Sequence, residues 1–275
     1  MYCTDERSRK AIHVEVMVGL SGALADSAST SVVVGGSRGI GLALVSAILN
    51  RGRGRVIAAS RKPEESASLR ALQEQWPGRL HCLPCDVTDA ASITTMANSV
   101  HAHVGSTSNV NLLLNVAGIL HDPTTEMMPE RSLASVDPTT CTRVMQINAI
   151  GPLLVTQALQ RQLAKGAVIG NLSARVGSIS DNRLGGWWSY RMSKAALNQA
   201  TRNMANEMRR REIIAVALHP GTTDTDLSLP FQKNVRPEKL FSTEFTANAL
   251  LDVLEGLRLE DSGEFFAYDG SRIEY

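Results

Sequence analysis

The sequence is poor in cysteine: its 275 residues include four, at positions 3, 82, 85 and 141. Thiols this few and this scattered exclude the disulfide framework of a small secreted protein and favour a reducing compartment. Cys82 and Cys85 form a Cys-x-x-Cys pair, yet no second pair of ligands follows at the spacing of a zinc site. In a predicted strand, side chains three residues apart point to opposite faces, so we interpret both thiols as small buried apolar groups.

An excess of charge of either sign is also absent, because 28 basic residues stand against 27 acidic ones. A net charge of +1 gives no general attraction to nucleic acid or to an anionic membrane. No apolar run approaches the roughly 18 residues of a transmembrane helix, and residues 11–20 are interrupted by His13 and Glu15, unlike a signal peptide. We expect a cytoplasmic protein with no nucleic-acid partner and no membrane span. The arginines and serines of the first thirty residues leave organellar import open.

The length suits one large α/β domain, and neither a composition break nor an internal repeat divides the chain. We predict an N-terminal extension over residues 1–29, outside the core, and one domain over residues 30–275. Within the extension, every second residue from position 12 to position 18 is isoleucine or valine. This period of two indicates a strand that could pair with a sheet edge or with a second subunit.

Short runs of β-branched and aliphatic residues alternate with helical patterns along the domain. The predicted strands cover residues 31–34, 56–59, 80–86, 110–115, 168–172, 213–218 and 265–268. This alternation predicts an α/β fold: a single doubly wound parallel sheet, or Rossmann fold, with helices on both faces and ligands at the carboxyl ends of the strands. A long helix is predicted over residues 143–163, kinked at Gly151-Pro152 by the proline ring, with Asn148 in the turn before the kink.

The first predicted strand runs directly into a glycine-rich turn and then a helix. Glycine permits positive φ and lets a pyrophosphate approach the backbone amides at a helix N-terminus, where the helix dipole favours an anion. A plain strand-to-helix connection also favours glycine, so the turn alone leaves both interpretations open. The candidate cofactor contacts in this turn are Gly35, Ser37, Arg38, Gly39, Ile40 and Gly41.

The end of the second predicted strand lacks the acidic residue that holds the adenosine ribose of NAD in dinucleotide-binding folds. Arg61 stands at that place, and Arg38 is available from the glycine turn. Guanidinium groups pair well with phosphate, so the two arginines predict NADP(H) as the cofactor. The alternative is that both are ordinary solvated surface charges.

Tyr190 and Lys194 stand four residues apart in a helical pattern, so their side chains share one face. A lysine within roughly 4–6 Å favours the phenolate and makes the phenol a better proton donor to a carbonyl oxygen. An ordinary amphipathic pair is the alternative. Asp86, which ends the third predicted strand, either contacts an adenine or caps the next helix, and Ser173 follows the fifth predicted strand.

Six motifs in this order resemble the short-chain dehydrogenase/reductase family over residues 31–268, and most of all its branch of sniffer-type carbonyl reductases and the bacterial C-factor. They are the glycine turn, Asp86-Val87, Asn115-Val116-Ala117-Gly118, Asn148, Tyr190-x-x-x-Lys194 and Pro220-Gly221-Thr222. The resemblance implies catalytic roles for Tyr190, Lys194 and Asn148. It also implies cofactor contacts from Asp86, Val87, Asn115, Ala117, Gly118, Tyr190, Lys194, Pro220, Gly221 and Thr222.

The resemblance further implies hydride transfer from NADPH to an aldehyde or ketone, with Tyr190 as the proton donor. Lys194 would acidify Tyr190 and bind the nicotinamide ribose, Asn148 would continue a proton relay, and the protein would be a homodimer. One position departs from the pattern, because Ala174 stands where the family has its catalytic serine. We predict that Ser173, turned by a bulge, takes that role; Ser178 or a water are the alternatives.

A loop over residues 222–243 is expected to close over the substrate, with Trp187, Trp188 and Leu184 on the opposite wall. Two other functions remain open at this point. One is a non-catalytic NADP(H)-binding sensor or signalling protein on the same fold, which the likeness to C-factor and Ala174 both raise. The other is an isomerase, which would show no net oxidation of the cofactor.

Overall fold

The central sheet consists of strands that are apolar on both faces. In the computed structural model, which describes residues 20–105 and 109–275, the strands are β1 (Thr30–Val34), β2 (Arg55–Ser60), β3 (Leu80–Pro84), β4 (Val110–Asn115), β5 (Leu163–Leu172), β6 (Ile214–His219), β7 (Thr222–Thr223), β8 (Leu240–Phe241) and β9 (Phe265–Ala267). A parallel sheet takes the order β3-β2-β1-β4-β5-β6-β9, while β7 and β8 pair separately. The predicted doubly wound parallel sheet is therefore confirmed.

Helices cover both faces of this sheet. They are α1 (Leu20–Ala25), α2 (Gly39–Arg51), α3 (Ala67–Gln75), α4 (Ala90–Val104), α5 (Pro138–Met145), α6 (Gly151–Leu159), α7 (Trp188–Met208) and α8 (Thr243–Glu255). Successive residues of β1 enter different cores: Val33 packs with α2 and α8, whereas Val32 packs with α4, α6 and α7. A strand buried on both sides explains why the sequence shows continuous apolar runs instead of alternation.

The position of the site follows from the strand order. β1 pairs with both β2 and β4, and its last residue, Val34, lies beside Ala59 and Asn115 at their carboxyl ends. From β1 the chain continues to β2 on one side, and it later forms β4 on the other side. This change of direction opens a crevice at the carboxyl edge of the sheet.

Helix α1 changes the predicted boundary of the domain. Leu20 and Leu24 are 3% and 5% exposed and belong to the core that α2 and α8 share. Residues 20–29 therefore pack with the domain, whereas the sequence assigned them to an extension outside the core. The predicted strand over residues 12–18 lies outside the described residues.

The predicted helix over residues 143–163 is divided in the structure. Helix α5 passes into a π-helical segment, Gln146–Ile150, before α6 starts at Gly151. Irregularity just before Gly151-Pro152 is as expected, because the proline lacks the N–H that a regular turn would use. The predicted end of the helix is wrong, since Leu163 already begins β5.

Cys82 and Cys85 lie where burial suppresses thiolate formation. Cys82 is half-buried on β3, Cys85 is buried just beyond it, and burial raises the pKa of Cys85 to about 11. No group of three or more potential metal ligands occurs within residues 20–105 and 109–275. Along the same two ranges, none of the helices combines the length and apolar character needed to cross a bilayer.

The packing of α1 gives a prediction about stability. We expect Leu24→Ala to lower the free energy of unfolding by about 2–3 kcal/mol, because it removes buried methyl groups and leaves a cavity. Urea denaturation followed by circular dichroism measures the change. Ala28→Ser, at an exposed position beside the helix, is the control. Equal stability of Leu24→Ala and this control would mean that α1 is not part of the cooperative core.

Candidate active site

The glycine turn lies directly against the end of β4. Gly35 and Gly39 have positive φ values of 94° and 53°. A Cβ atom on Gly35 would lie 2.6 Å from the Ala117 backbone nitrogen, and one on Gly41 would lie 2.0 Å from the Gly35 carbonyl oxygen. Only glycine permits this approach, which leaves the backbone amides at the start of α2 open to an anionic group.

The two arginines lie at the outer side of the turn. Arg38 precedes α2 and forms an ion pair with Asp226, 3.0 Å between Nη1 and Oδ2, with both side chains largely exposed. Arg61 is exposed immediately after β2. The neighbouring Ser60 Oγ is buried without a hydrogen-bond partner within the described part of the chain. The place that an acidic residue would occupy thus carries an unpaired hydroxyl and positive charge.

Asp86 supports the loop between β3 and α4. Its Oδ1 accepts hydrogen bonds from the Thr88 backbone N–H at 2.9 Å and from Thr88 Oγ1 at 2.7 Å. Partial burial works to raise the pKa of Asp86, but these bonds and the charge of Arg61 outweigh it and lower the pKa below its usual range. Val87 packs on Gly151, where a Cβ atom would lie 2.9 Å from Val87 Cβ. Asp86 therefore supports a local turn, and Asp89 is the residue that caps α4.

Asn115 and Gly118 belong to one motif, but Asn115 forms hydrogen bonds inside the fold whereas Gly118 leaves space beside Lys194. Asn115 is buried and donates to Asn171 Oδ1 at 2.8 Å and to Thr156 Oγ1 at 3.2 Å, so its side chain is used inside the fold. A Cβ atom on Gly118 would lie 3.4 Å from Asn148 Oδ1 and 3.6 Å from Lys194 Nζ. The absence of a side chain at Gly118 keeps the space beside Lys194 open.

The π-helical segment places Asn148 between the end of β4 and helix α7. Asn148 is fully buried, accepts from the Ile119 N–H at 2.7 Å and donates to the Ile119 carbonyl at 2.8 Å. It also donates to Ser193 Oγ at 3.0 Å, and Ser193 in turn donates to the Tyr190 carbonyl at 2.8 Å. The amide therefore ties the irregular segment to the first two turns of α7. Segments of π-helix are frequent at functional sites.

Tyr190 and Lys194 lie side by side on the buried face of α7. Lys194 Nζ is 5.7 Å from the centre of the Tyr190 ring and donates to the Leu172 carbonyl at 2.7 Å. Burial lowers the pKa of Lys194 to about 7 and raises the pKa of Tyr190 well above its usual value. Within the protein alone, desolvation thus outweighs the acidifying effect that the sequence predicted for the lysine.

Ser173 is buried, and its hydroxyl forms a hydrogen bond inside the fold. It follows β5 without a bulge, and its Oγ donates to Asn198 Oδ1 on α7 at 2.6 Å. A hydroxyl has one proton, and this bond uses it, so in this arrangement Ser173 has no proton to donate to a carbonyl. Its predicted catalytic role stays a prediction. Ser178 Oγ accepts from the Asp181 N–H at 3.1 Å in a neighbouring turn.

Residues 220–222 lead into the loop that borders the crevice. Gly221 has φ of 74°, and a Cβ atom there would lie 2.7 Å from the Phe241 ring. Pro220 precedes this turn, and Thr222 begins β7 opposite Leu240. Farther along, the Thr225 methyl carbon lies 3.3 Å from the Cβ position of Gly39, so the loop covers the glycine turn.

Of the three residues predicted to lie opposite the loop over residues 222–243, one borders Tyr190. The Trp187 ring lies 6.2 Å from the Tyr190 ring and 4.9 Å from the Phe231 ring, centre to centre. Leu184, by contrast, is 93% exposed, and Trp188 lines a separate surface cavity of about 290 Å³ beside Met192. Trp187 is therefore the member of the predicted trio that borders Tyr190.

Sequence reasoning missed several residues that hold the site. Ser193 precedes Lys194 and links Asn148 to α7, as its position in the tyrosine–lysine motif could have indicated. His121 lies with Nε2 3.0 Å from the Asp226 carbonyl and its ring 5.9 Å from the Phe231 ring. Glu130 is 5% exposed and binds the start of α7. No local pattern marks Glu130, because its partners are about 60 residues away.

Comparison with known proteins agrees with this geometry. The family model for short chain dehydrogenases matches residues 29–236. The chain is 38% identical to the C-signal of Myxococcus xanthus over 146 residues, which is 52% of this chain and 84% of that protein. Its structure is similar to an NADPH-bound carbonyl reductase from chicken fatty liver, with a TM-score of 0.79 and 32% identity over 90% of this chain and 98% of the other.

The fold of the Drosophila melanogaster carbonyl reductase Sniffer is also shared, with a TM-score of 0.79 at 24% identity, over 91% of this chain and all of that one. The parallel sheet, the glycine turn and the tyrosine–lysine helix thus occur in a chain whose family match covers most of its length. This protein belongs to the short-chain dehydrogenase/reductase family.

Proposed function

We propose that this protein is an NADPH-dependent carbonyl reductase in which Tyr190 donates a proton to the oxygen of an aldehyde or ketone. The observation that carries the proposal is the buried pair of Tyr190 and Lys194, joined through Ser193 to Asn148 beside the open space at Gly118. Both groups are buried at the carboxyl edge of a parallel sheet, where ligands bind in such folds. A buried phenol beside a buried amine suits acid–base chemistry on a bound substrate.

The residues of the crevice fit an NADP molecule. The glycine turn would hold its pyrophosphate, and Arg38 and Arg61 would bind the phosphate on its adenosine ribose. The unpaired Ser60 hydroxyl and the space at Gly118 are consistent with contacts to the two ribose groups. NADPH was present in the chicken carbonyl reductase structure, which supports the same choice here. When bound, the reduced nicotinamide supplies the hydride.

The chain's own residues manage the proton. Burial keeps the Tyr190 phenol protonated, so it holds its proton until negative charge develops on the carbonyl oxygen. The amine of Lys194 lies where a positive charge would stabilise the phenolate that remains. Asn148 fixes α7 in place through Ser193, while the Ser173 hydroxyl donates its proton to Asn198.

Signalling is a second candidate. The identity to C-signal and the alanine at the position of the family's catalytic serine favour a protein that binds a dinucleotide without turnover. Retention of Tyr190, Lys194 and Asn148 supports the enzyme instead. NADPH oxidation with a panel of aldehydes, diketones and quinones separates the two. A homodimer and a cytoplasmic location stay predictions.

Replacing the proton donor tests the mechanism. We expect Tyr190→Phe to lower kcat by roughly 10²–10⁴-fold, because the ring remains but the proton is lost. The dissociation constant of NADPH, measured by fluorescence, should change by less than about twofold. Tyr275→Phe, which removes a hydroxyl bonded to Gly263, serves as the matched control. Undiminished reduction by Tyr190→Phe would eliminate the assignment.

Reversing the charge after β2 tests the cofactor. We expect Arg61→Asp to weaken NADPH binding by roughly 10–100-fold, because a charge-assisted bond to phosphate is lost and repulsion is added. NADH binding should not weaken. Arg53→Asp makes the same change at another exposed arginine and controls for net charge. The proposal fails if wild-type protein binds NADH as tightly as NADPH.

The lowered pKa of Lys194 predicts a pH effect on the stability of the protein without cofactor. Below pH 7 both the folded and the unfolded chain hold this proton, and the cost of burying the charge is complete. Between about pH 7 and the usual lysine pKa the unfolded chain binds more protons, so stability attributable to the group rises with pH. We therefore expect the unfolding free energy of wild type, measured relative to that of Lys194→Met, to rise by at most about 1.4 kcal/mol per pH unit across this interval.

Denaturation at pH 6, 8 and 9.5 measures this difference. Lys239→Met, at an exposed position in the substrate loop, controls for the lost positive charge. A difference between wild type and Lys194→Met that shrinks or stays constant as pH rises would contradict the assignment.

A further inference from the structure

The entry into α7 is a strained left-handed turn. Gly185, Gly186 and Trp187 follow one another with φ values of 66°, 68° and 51°. Glycine adopts this conformation freely, but tryptophan does so at a cost, because its Cβ crowds the backbone. Strain of this kind persists only where surrounding contacts enforce it, and it is concentrated at functional sites.

Glu130 enforces the turn from one side. Its backbone carbonyl accepts from the Trp187 N–H at 2.6 Å, and its carboxylate accepts from the Ser189 N–H at 3.2 Å and from the Ser189 hydroxyl. From the other side, Arg191 Nε donates to the Gly185 and Gly186 carbonyls at 3.2 and 3.0 Å. Glu130 is 5% exposed, and burial of a charged group is costly unless its hydrogen bonds are satisfied.

The consequence of the turn is the position of one indole. Trp187 is turned back over the helix that it precedes, so that its ring meets Tyr190 edge-on at 6.2 Å and contacts Phe231 of the substrate loop at 4.9 Å. His121 also packs edge-on against Phe231, with ring centres 5.9 Å apart. The proton donor is thereby bordered by a row of rings. A regular helical conformation at Trp187 would move the indole away from Tyr190.

We propose that Glu130 is a positioning residue, which holds the left-handed turn so that Trp187 forms a specificity-determining wall beside Tyr190 for a flat aromatic carbonyl compound. The substrate class rests on the proposed function. The assignment of Glu130 and Trp187 rests on the hydrogen bonds and ring contacts of the turn itself.

Two ketones that differ in ring content test the wall. The bicyclic aromatic ketone 1-tetralone offers a face to an indole, and butanone does not. We expect Trp187→Gly, which also relieves the strain, to raise the Kd of 1-tetralone roughly tenfold. Isothermal titration calorimetry with and without NADP⁺ measures this Kd without turnover. Steady-state kinetics should show KM rising more for 1-tetralone than for butanone, with no loss of melting temperature.

A double-mutant cycle tests the action of Glu130 through Trp187. Glu130→Gln should raise the ratio of the two KM values roughly fivefold in the wild-type background and by less than about twofold in the Trp187→Gly background. Ser189→Ala weakens the same contact with a smaller change and replaces Glu130→Gln if that variant does not fold. Glu126→Gln, an exposed residue of the same loop, is the matched control and should leave the ratio unchanged.

The outcomes separate this inference from the proposed function. If wild-type protein oxidises no NADPH with either ketone or with the panel of aldehydes, diketones and quinones, but binds 1-tetralone in a Trp187-dependent way, the reductase proposal fails and the wall stands. Unchanged or undetectable 1-tetralone binding across wild type and Trp187→Gly overturns the wall. A Glu130→Gln variant that loses only melting temperature, or that shifts the KM ratio equally in both backgrounds, shows a purely structural role and overturns the positioning assignment.

Discussion

Hydrogen bonds from the buried polar groups on one face of α7 determine how the other elements of the site pack around it. Lys194 donates to the Leu172 carbonyl, Ser193 accepts from Asn148, and Thr201 accepts from Asn171 of β5. An unpaired polar group in the same position would cost on the order of 1–3 kcal/mol, so helix, strand and π-helical segment can meet in few other ways. The helix that carries the tyrosine is thereby held in one register against the carboxyl edge of the sheet.

The same burial sets the electrostatics of the pair. Desolvation opposes charge on either group, so it raises the pKa of Tyr190 and lowers that of Lys194 to about 7. The phenol therefore keeps its proton, while the amine, which titrates near neutral pH, is the group that can gain or lose charge. Under the proposed function, negative charge that develops on a carbonyl oxygen would lie close to the Tyr190 proton and to the amine of Lys194.

The contacts around the crevice differ in strength. The exposed pair between Arg38 and Asp226 is the kind of surface ion pair that contributes little to stability, and a phosphate could replace Asp226 readily. The close approach of Gly35 to Ala117 and the buried carboxylate of Glu130 have no such freedom. The crevice therefore has fixed contacts at Gly35 and Glu130, and an exposed ion pair between Arg38 and Asp226 that can rearrange.

The sequence by itself determined the sheet, the glycine turn and the pairing of Tyr190 with Lys194, because each depends on residues close together in the chain: apolar runs, glycines before a helix, and a four-residue helical spacing. It also indicated the break before Gly151, although it extended that helix into β5. Only the tertiary structure decided that Ser173 bonds to Asn198, that Leu20 and Leu24 are core residues, and that Trp187 rather than Leu184 borders Tyr190. The first two outcomes depend on burial and on contacts between residues far apart in the chain, such as Ser173 with Asn198 and Ser21 with Glu255, which joins α1 to α8. The position of Trp187 depends on its contact with the distant Phe231. No local pattern in the sequence encodes such contacts.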